Sequence, residues 1–258
     1  MSSLQIPIWR ESRWALEHLS LRRDPVLRGE GVPHGTGAPV MLIPGFLASD
    51  VSLALMAGWV QRIGYQPTRA GMRANVDCAE RALGRLEDLL VAKHERAGGR
   101  KVAIVGQSRG GSFARVLAVR RPDLISGIVT LGSPLTDQFA VHPFVRGGVL
   151  GVGILGTLGV PGLFRHQCRN GECCEQARAD AQAKFPMGVG FVSVYSRSDG
   201  IVDWRASLDA HAEHVEVDAS HVGMSVHADT YRAIATALQA FGASERRRTG
   251  KRPLRRAA

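Results

Sequence analysis

Val102-Ala103-Ile104-Val105-Gly106-Gln107-Ser108-Arg109-Gly110-Gly111 sets the architecture of this chain. Its apolar first half has the composition of a buried strand, and residues 113–118 have the apolar spacing of a helix. A strand that turns sharply into a helix around Gly-x-Ser-x-Gly strains the serine backbone and exposes the hydroxyl. Side chains at Gly106 or Gly110 would crowd the neighbouring backbone. The pattern predicts Ser108 as a nucleophile beside a helix N-terminus, which favours developing negative charge. A glycine-rich turn with an incidental serine is the alternative.

Strand-like and helix-like segments alternate on both sides of this turn. Apolar runs predict strands at 39–43, 101–105, 124–131 and 189–196, and residues 65–69 and 214–217 are predicted as further short strands. Amphipathic runs predict helices at 9–21, 50–63, 76–96 and 231–241, with another from the serine to residue 121. Such alternation is typical of an α/β fold with a doubly wound, mostly parallel sheet.

Four regions follow from this alternation. Residues 1–38 form an N-terminal helix and loop, and residues 39–134 and 189–242 form the α/β core. Residues 135–188 interrupt the pattern and are predicted to be an insertion, and residues 243–258 a basic, disordered tail.

Charge and composition restrict the possible partners and location. The net charge is +10, but seven basic residues lie in 246–258, which leaves +3 for residues 1–245. No basic stripe with interleaved aromatic residues is present, so no nucleic-acid partner is expected. Charges interrupt the first 27 residues, which lack the apolar core of a signal peptide. Four cysteines do not require an oxidising compartment, so the expected location is cytoplasmic.

The predicted insertion contains an uncharged, glycine-rich segment at 147–164. Its glycine density and Pro161 argue against a membrane span. We expect a cap over Ser108 whose apolar residues are costly to expose to water. The hypothesis is a lid that is closed in water and opens at a lipid interface. A fixed pocket wall is the alternative.

Three cysteines of the insertion, Cys168, Cys173 and Cys174, lie close to His166 in the sequence. These residue types can bind zinc, but the C-x4-C-C spacing lacks the paired C-x2-C of structural sites. Adjacent cysteines also do not readily bind one ion in the usual geometry. The sequence therefore favours free thiols or one internal disulfide in the cap, without a metal.

Ser108, Asp199 and His221 each follow a predicted strand, in the order Ser…Asp…His. A serine hydroxyl becomes a good nucleophile when an imidazole takes its proton and a carboxylate orients that imidazole. The carboxyl ends of parallel strands meet at one edge of the sheet, so these side chains are expected to lie together. Competing candidates are the acids Asp203, expected to cap a helix, and Asp137, and the histidines His211, His214 and His227.

Five segments across roughly residues 38–242 resemble bacterial lipase- and esterase-type α/β-hydrolases. They are Pro44-Gly45-Phe46, Gly106-Gln107-Ser108-Arg109-Gly110-Gly111, Leu131-Gly132-Ser133-Pro134, Tyr195-Ser196-Arg197-Ser198-Asp199-Gly200-Ile201-Val202-Asp203-Trp204 and Ser220-His221-Val222-Gly223-Met224. The resemblance implies Ser108 as nucleophile, Asp199 as acid and His221 as base. It also implies that the backbone N–H groups of Phe46 and Arg109 form the oxyanion hole.

The chain departs from this family at two places. Gln107 and Arg109 replace the commoner His-Ser-Met or His-Ser-Gln elbow, which implies a reshaped pocket floor. Related sequences often have a cysteine after the Asp-Trp segment, where this chain has Ala206 and Ser207. This departure puts in doubt a disulfide from that point to the cap cysteines.

The resemblance implies hydrolysis of carboxylic esters through an acyl-serine intermediate, with no cofactor. The apolar cap favours small-molecule or lipid esters with apolar acyl chains, and a transient contact with a lipid interface. Two alternatives remain open at the level of sequence: an acyltransferase that uses the same three residues, and a non-catalytic binding protein that keeps the fold.

Overall fold

A six-stranded parallel sheet lies at the centre of the protein in the computed structural model, which describes residues 6–169 and 171–249. The strands are β1 (Pro39–Ile43), β2 (Gln66–Arg69), β3 (Val102–Gln107), β4 (Ile125–Leu131), β5 (Gly190–Tyr195) and β6 (Glu213–Glu216). They lie in the order β2-β1-β3-β4-β5-β6, and every neighbouring pair is parallel. The predicted strands are therefore confirmed within one or two residues at their ends, and the sheet is parallel throughout.

Helices cover both faces of this sheet, as a doubly wound fold requires. They are α1 (Trp14–Arg23), α2 (Ala54–Arg62), α3 (Ala79–Arg96), α4 (Arg109–Arg120), α5 (Pro143–Thr157), α6 (Glu175–Gln182) and α7 (Ala228–Thr249). One core packs α2 and α7 on the sheet, with the rings of Trp59 and Tyr231 4.5 Å apart. The other core packs α3 and α4 through residues such as Leu83 and Phe113. Both faces of β1 and β3 are buried, which explains their continuous apolar sequence.

The segment between β4 and β5 carries α5 and α6, where the sequence predicts an insertion. Much of the glycine-rich part of this segment is helical, because two of its glycines allow close packing. A Cβ atom at Gly156 would overlap the carbonyl of Phe164, and one at Gly153 would lie 3.3 Å from the Phe164 ring. Pro143 at the first helical position and the ring of His142, which accepts from the Phe144 N–H, begin α5.

At both ends of the chain the structure differs from the sequence-based predictions. The predicted N-terminal helix is a 3-10 helix (Ile8–Arg13) that continues into α1. The expectation of a disordered tail from residue 243 is wrong as far as Thr249, because α7 continues to that residue. Alanine, glutamate and arginine are good helix formers, and the Glu245 carboxylate accepts from the N–H of Lys101. Residues 250–258 lie outside the described residues.

Candidate active site

Ser108 lies at the sharp turn between β3 and α4, as predicted. Its φ of 52° and ψ of −123° are unusual for a residue with a side chain. Gly106 and Gly110 permit this turn, because a Cβ atom at Gly106 would overlap the Gly110 carbonyl. The Ser108 N–H donates to the Leu131 carbonyl at 2.8 Å, so the end of β4 holds the strained turn. The hydroxyl lines the pocket described below.

Asp199 and His221 form a buried hydrogen-bonded pair beyond the carboxyl ends of β5 and β6. The His221 Nδ1 and Asp199 Oδ2 atoms are 2.7 Å apart. The other carboxylate oxygen, Oδ1, accepts from the N–H groups of Ile201 at 2.8 Å and Val202 at 2.7 Å. Because all these partners donate to the carboxylate, Nδ1 carries the proton and Nε2 is the ring nitrogen left to accept one.

Burial opposes protonation of His221, but the neighbouring charges outweigh it. Asp199 raises the pKa of His221 through its charge and its hydrogen bond, and the carboxylate of Glu11 adds to the increase. The pKa of His221 therefore lies above its ordinary value. An imidazole held in this way gains a proton more readily, which suits a general base.

Backbone and side-chain contacts join the Ser108 turn to the Asp199–His221 pair. Gln107 Nε2 donates to the His221 carbonyl at 3.2 Å. A Cβ atom at Gly132, which follows the Ser108 partner Leu131, would lie 2.9 Å from Asp199 Oδ2 and 3.0 Å from His221 Nδ1. The three predicted residues thus share one edge of the sheet. Among the hydrogen bonds of the described residues, none joins Ser108 Oγ to His221.

The turn Pro44-Gly45-Phe46 lies against the nucleophile. A Cβ atom at Gly45 would lie 3.2 Å from Ser108 Cβ. Within the described parts of the chain, the backbone N–H groups of Phe46 and Arg109 donate to no protein acceptor. Both therefore remain available for a negative oxygen next to Ser108. Buried Asn75 fixes this turn, since its Nδ2 donates to the Pro44 carbonyl at 2.9 Å.

The two unusual elbow residues hold loops around the site. Gln107 contacts the His221 loop, as described above. The Arg109 guanidinium donates to both Asn75 oxygens and to the Asp77 carbonyl, at distances of 2.7 to 3.1 Å. It also lies over the rings of Phe113 and Phe164. Arg109 therefore supports the Pro44-Gly45-Phe46 turn through Asn75, in addition to lining the pocket.

Two glutamates of the N-terminal segment hold the loops that carry Asp199 and His221, and sequence analysis missed both. Glu11 accepts from the N–H groups of Gly200, His221 and Val222 at 2.8 to 2.9 Å. Buried Glu17 accepts from the N–H and hydroxyl of Ser220 at 2.8 and 2.6 Å. The sequence shows these glutamates as two acidic residues in a predicted helix that is otherwise rich in arginine. Their partners lie about 200 residues away, so no local pattern connects them.

The competing acids and histidines have other partners. Asp203 accepts from the Arg205 N–H and begins a short 3-10 helix, as expected of a cap, and exposed Asp137 accepts from the Phe139 N–H. His211 Nδ1 contacts Asp209, and His214 Nε2 contacts the Asp209 carbonyl. His227 Nδ1 is buried without a partner in the described structure, and none of these groups hydrogen-bonds to Asp199 or Ser108.

An apolar cavity of about 540 Å³ opens next to Ser108, a volume in the range of small-molecule sites. Its walls come from α3, α4 and the segment between β4 and β5. The lining side chains include Leu83, Phe113, Val116, Phe139, Val145, Leu150 and Phe164. This surface can hold an apolar group next to Ser108.

Potential metal ligands gather at one edge of this cavity. The thiols of Cys78, Cys168, Cys173 and Cys174 lie within 4.8 Å of one another. Cys78 comes from outside the insertion, and sequence analysis did not connect it with the other three. His166, which the sequence places beside them, is not part of this group.

No protein-family model matches the chain, and a sequence comparison with curated proteins gives no significant match. Solved structures are similar in fold. A metagenomic carboxyl esterase, MGS0156, has a TM-score of 0.60 at 14% identity, with 95% of this chain and 96% of that chain covered. The mature Bacillus licheniformis lipase BlEst2 has a TM-score of 0.58 at 12% identity, with 82% and 94% covered.

A third similar structure is the 2-hydroxy-6-oxo-6-phenylhexa-2,4-dienoate hydrolase of Rhodococcus sp. strain RHA1. It has a TM-score of 0.53 at 16% identity, over 80% of this chain and 91% of that chain. The chain thus has the α/β-hydrolase fold that the sequence motifs imply. At these identities the likeness concerns the fold, and residue roles rest on the geometry of this chain.

Proposed function

We propose that this protein is a serine hydrolase that cleaves carboxylic esters through an acyl-serine intermediate. The observation that carries the proposal is the buried Asp199–His221 hydrogen bond at the sheet edge where Ser108 occupies its strained turn. Nucleophile, acid and base in this order along the chain and at these strand ends are the parts required for acyl transfer.

Each step of the reaction has a residue to perform it. The Ser108 hydroxyl attacks the ester carbonyl carbon while His221 Nε2 takes its proton. The N–H groups of Phe46 and Arg109 stabilise the negative oxygen of the tetrahedral intermediate. His221 returns the proton to the leaving alcohol, which departs and leaves the acyl group on Ser108. Water, deprotonated by His221, then attacks the acyl-serine, and His221 returns this proton to Ser108 Oγ as its bond to the acyl carbon breaks and the acid is released.

The lining of the cavity supports the proposal that the substrates carry apolar acyl groups. Its lining is mainly aliphatic and aromatic, and its volume suits a small-molecule ester or the acyl chain of a lipid. The similar structures include a carboxyl esterase and a lipase, which agrees with this substrate class. The mechanism described above needs no cofactor.

Ser108→Ala tests the proposal. We expect the folded variant to lose kcat for p-nitrophenyl esters by about 10⁴-fold or more. A fluorophosphonate probe should label Ser108 in the wild type, as located by peptide mapping. Ser112→Ala is the matched control, because Ser112 lines the same cavity, and it should retain both labelling and turnover. Undiminished turnover by folded Ser108→Ala would refute the proposal.

Product analysis with an added alcohol distinguishes hydrolysis from acyl transfer. A hydrolase releases mainly the free acid, because water reacts with the acyl-serine. Predominant transfer of the acyl group to the alcohol at low acceptor concentration would instead identify an acyltransferase with the same residues.

A further inference from the structure

All four cysteines of the chain gather at one place in the structure. Cys78 directly precedes α3, and the other three lie in the insertion about 90 residues later. The Sγ–Sγ distances are 3.4 Å for Cys78–Cys174, 3.4 Å for Cys168–Cys173 and 3.9 Å for Cys173–Cys174. A tetrahedron with zinc–sulfur bonds of about 2.3 Å has sulfur–sulfur edges of about 3.8 Å. The cluster therefore has the dimensions of a four-thiolate metal site.

Backbone N–H groups at the start of α3 surround two of the thiols. Cys78 and Cys174 are buried and pack against Phe164. The N–H groups of Arg81 and Glu80 donate to the Cys78 sulfur, and the Glu80 N–H also donates to the Cys174 sulfur. Backbone N–H groups directed at cysteine sulfur are common outer contacts of bound metals.

Arg109 provides an independent argument from charge. Its guanidinium lies over the rings of Phe113 and Phe164. Its hydrogen bonds within the described structure go to uncharged oxygens, and it forms no ion pair there. The Asp77 carboxylate pairs with Arg81 and Arg85. Because Phe164 packs against Cys78 and Cys174, a zinc ion bound by four thiolates, with its net negative charge, would lie close to Arg109 and provide a counter-charge.

Disulfides explain the arrangement less well. A disulfide brings two sulfur atoms to about 2.05 Å and needs no second pair next to it. Here all four sulfur atoms lie within 4.8 Å, and the Cys173 thiol contacts both Cys168 and Cys174. This mutual proximity is what one shared ion requires. Adjacent Cys173 and Cys174 reach the cluster because the chain turns in a short 3-10 helix at that point.

We propose that Cys78, Cys168, Cys173 and Cys174 bind one structural zinc ion. With four protein ligands the site is closed, so the ion has a structural role and takes no part in catalysis. The zinc ion joins the insertion to the start of α3. It would lie next to Phe164 and the Arg109 side chain, which support the turn that contains Phe46. This proposal does not depend on the proposed ester hydrolysis.

Metal analysis of the full-length protein, produced with zinc in the medium, tests the site. We expect about one zinc per chain, and four thiols available for alkylation after denaturation with a chelator. Cobalt substitution should give thiolate-to-cobalt charge-transfer absorption and the intense d–d bands of a tetrahedral site. Cys173→Ser should reduce zinc content at least tenfold, and because this side chain is exposed the variant should still fold. Cys78→Ser should lose the metal in the same way.

His166→Ala is the matched control, because His166 neighbours the cluster in sequence but lies outside it. It should keep one zinc per chain and the same cobalt spectrum. Chelation of the wild type should lower its melting temperature by several degrees and leave that of Cys173→Ser unchanged. The proposal fails if the wild type contains no zinc, contains iron instead, or has two disulfides, or if His166→Ala loses the metal.

Discussion

At the scale of single residues, two nearby aspartates have different tasks because their oxygens have different partners. Both carboxylate oxygens of Asp199 accept hydrogen bonds, one from the His221 ring and the other from two backbone N–H groups. Asp203 is four residues away but caps a short helix through the Arg205 N–H. Only the first arrangement orients an imidazole.

Replacement of each aspartate by asparagine separates the two roles. Asp199→Asn should lower kcat by about 10⁴-fold while the protein stays folded, because an amide favours the wrong imidazole tautomer. Asp203→Asn should change kcat by less than about threefold, since the asparagine oxygen still caps the helix. Steady-state kinetics on one soluble ester, with circular dichroism for folding, give the comparison. A larger loss of kcat in Asp203→Asn than in Asp199→Asn would identify Asp203 as the acid instead.

At the scale of elements, the N-terminal 3-10 helix is a support for the candidate site. The Glu11 carboxylate joins the Asp199 loop to the His221 loop through three backbone N–H groups. Glu17 on α1 holds the residue before His221. Glu11 touches no reacting atom in the proposed mechanism, so it is a positioning residue whose negative charge also raises the pKa of His221.

Glu11→Gln should lower kcat by about tenfold to a hundredfold with little change in KM, because the amide cannot accept all three bonds and the base is misplaced. The base acts when neutral, so activity is present above the His221 pKa and is lost as the pH falls through it. Removal of the Glu11 charge lowers this pKa, and the acidic limb of kcat/KM should therefore move to lower pH.

Glu30→Gln is the control for this experiment, since Glu30 is an exposed glutamate that pairs with Arg28. It should leave kcat and the pH profile unchanged. An unchanged acidic limb in a folded Glu11→Gln variant would show that Glu11 has no electrostatic effect on the base.

At the scale of the whole molecule, the insertion has two differently attached parts. The α6 end is fastened to α4, where Arg115 forms a buried ion pair with Asp209 and also donates to carbonyls at residues 180 and 183. Helix α5 and the residue after it instead expose apolar side chains, with Phe144 and Leu158 both 76% exposed. Within the described residues, no helix has the length and apolar composition to cross a bilayer.

We propose that α5 is the part of the cap that responds to a lipid interface. Kinetics across the critical micelle concentration of a medium-chain ester should show an upturn in rate, because aggregated substrate covers the exposed apolar residues. The double variant Phe144→Asp and Leu158→Asp should lose this upturn but keep its activity on a short soluble ester. Met187→Asp is the control, since Met187 is 93% exposed and precedes β5 at the opposite edge of the sheet. A smooth saturation curve of rate against ester concentration in the wild type would contradict a moving lid and identify the insertion as a fixed pocket wall.

The sequence by itself determined the parts of this protein that depend on local geometry. Apolar runs bounded by turn residues marked the central strands, because strands buried on both faces carry mainly apolar side chains. The Gly106-x-Ser108-x-Gly110 turn was predictable because its steric demands concern adjacent residues. The order of Ser108, Asp199 and His221 along the chain indicated the candidate site, because parallel strands bring their carboxyl ends to one edge.

Only the tertiary structure decided the contacts between distant segments. Glu11 binds an N–H group 210 residues away, and Cys78 contacts a thiol 96 residues away. Neither pair leaves a spacing signal, since the intervening elements determine which surfaces meet. The helical state of α5 was likewise hidden, because its glycines disfavour a helix locally and are accommodated by close packing against Phe164. Local sterics are encoded in neighbouring residues, whereas these contacts exist once the sheet has brought remote segments together.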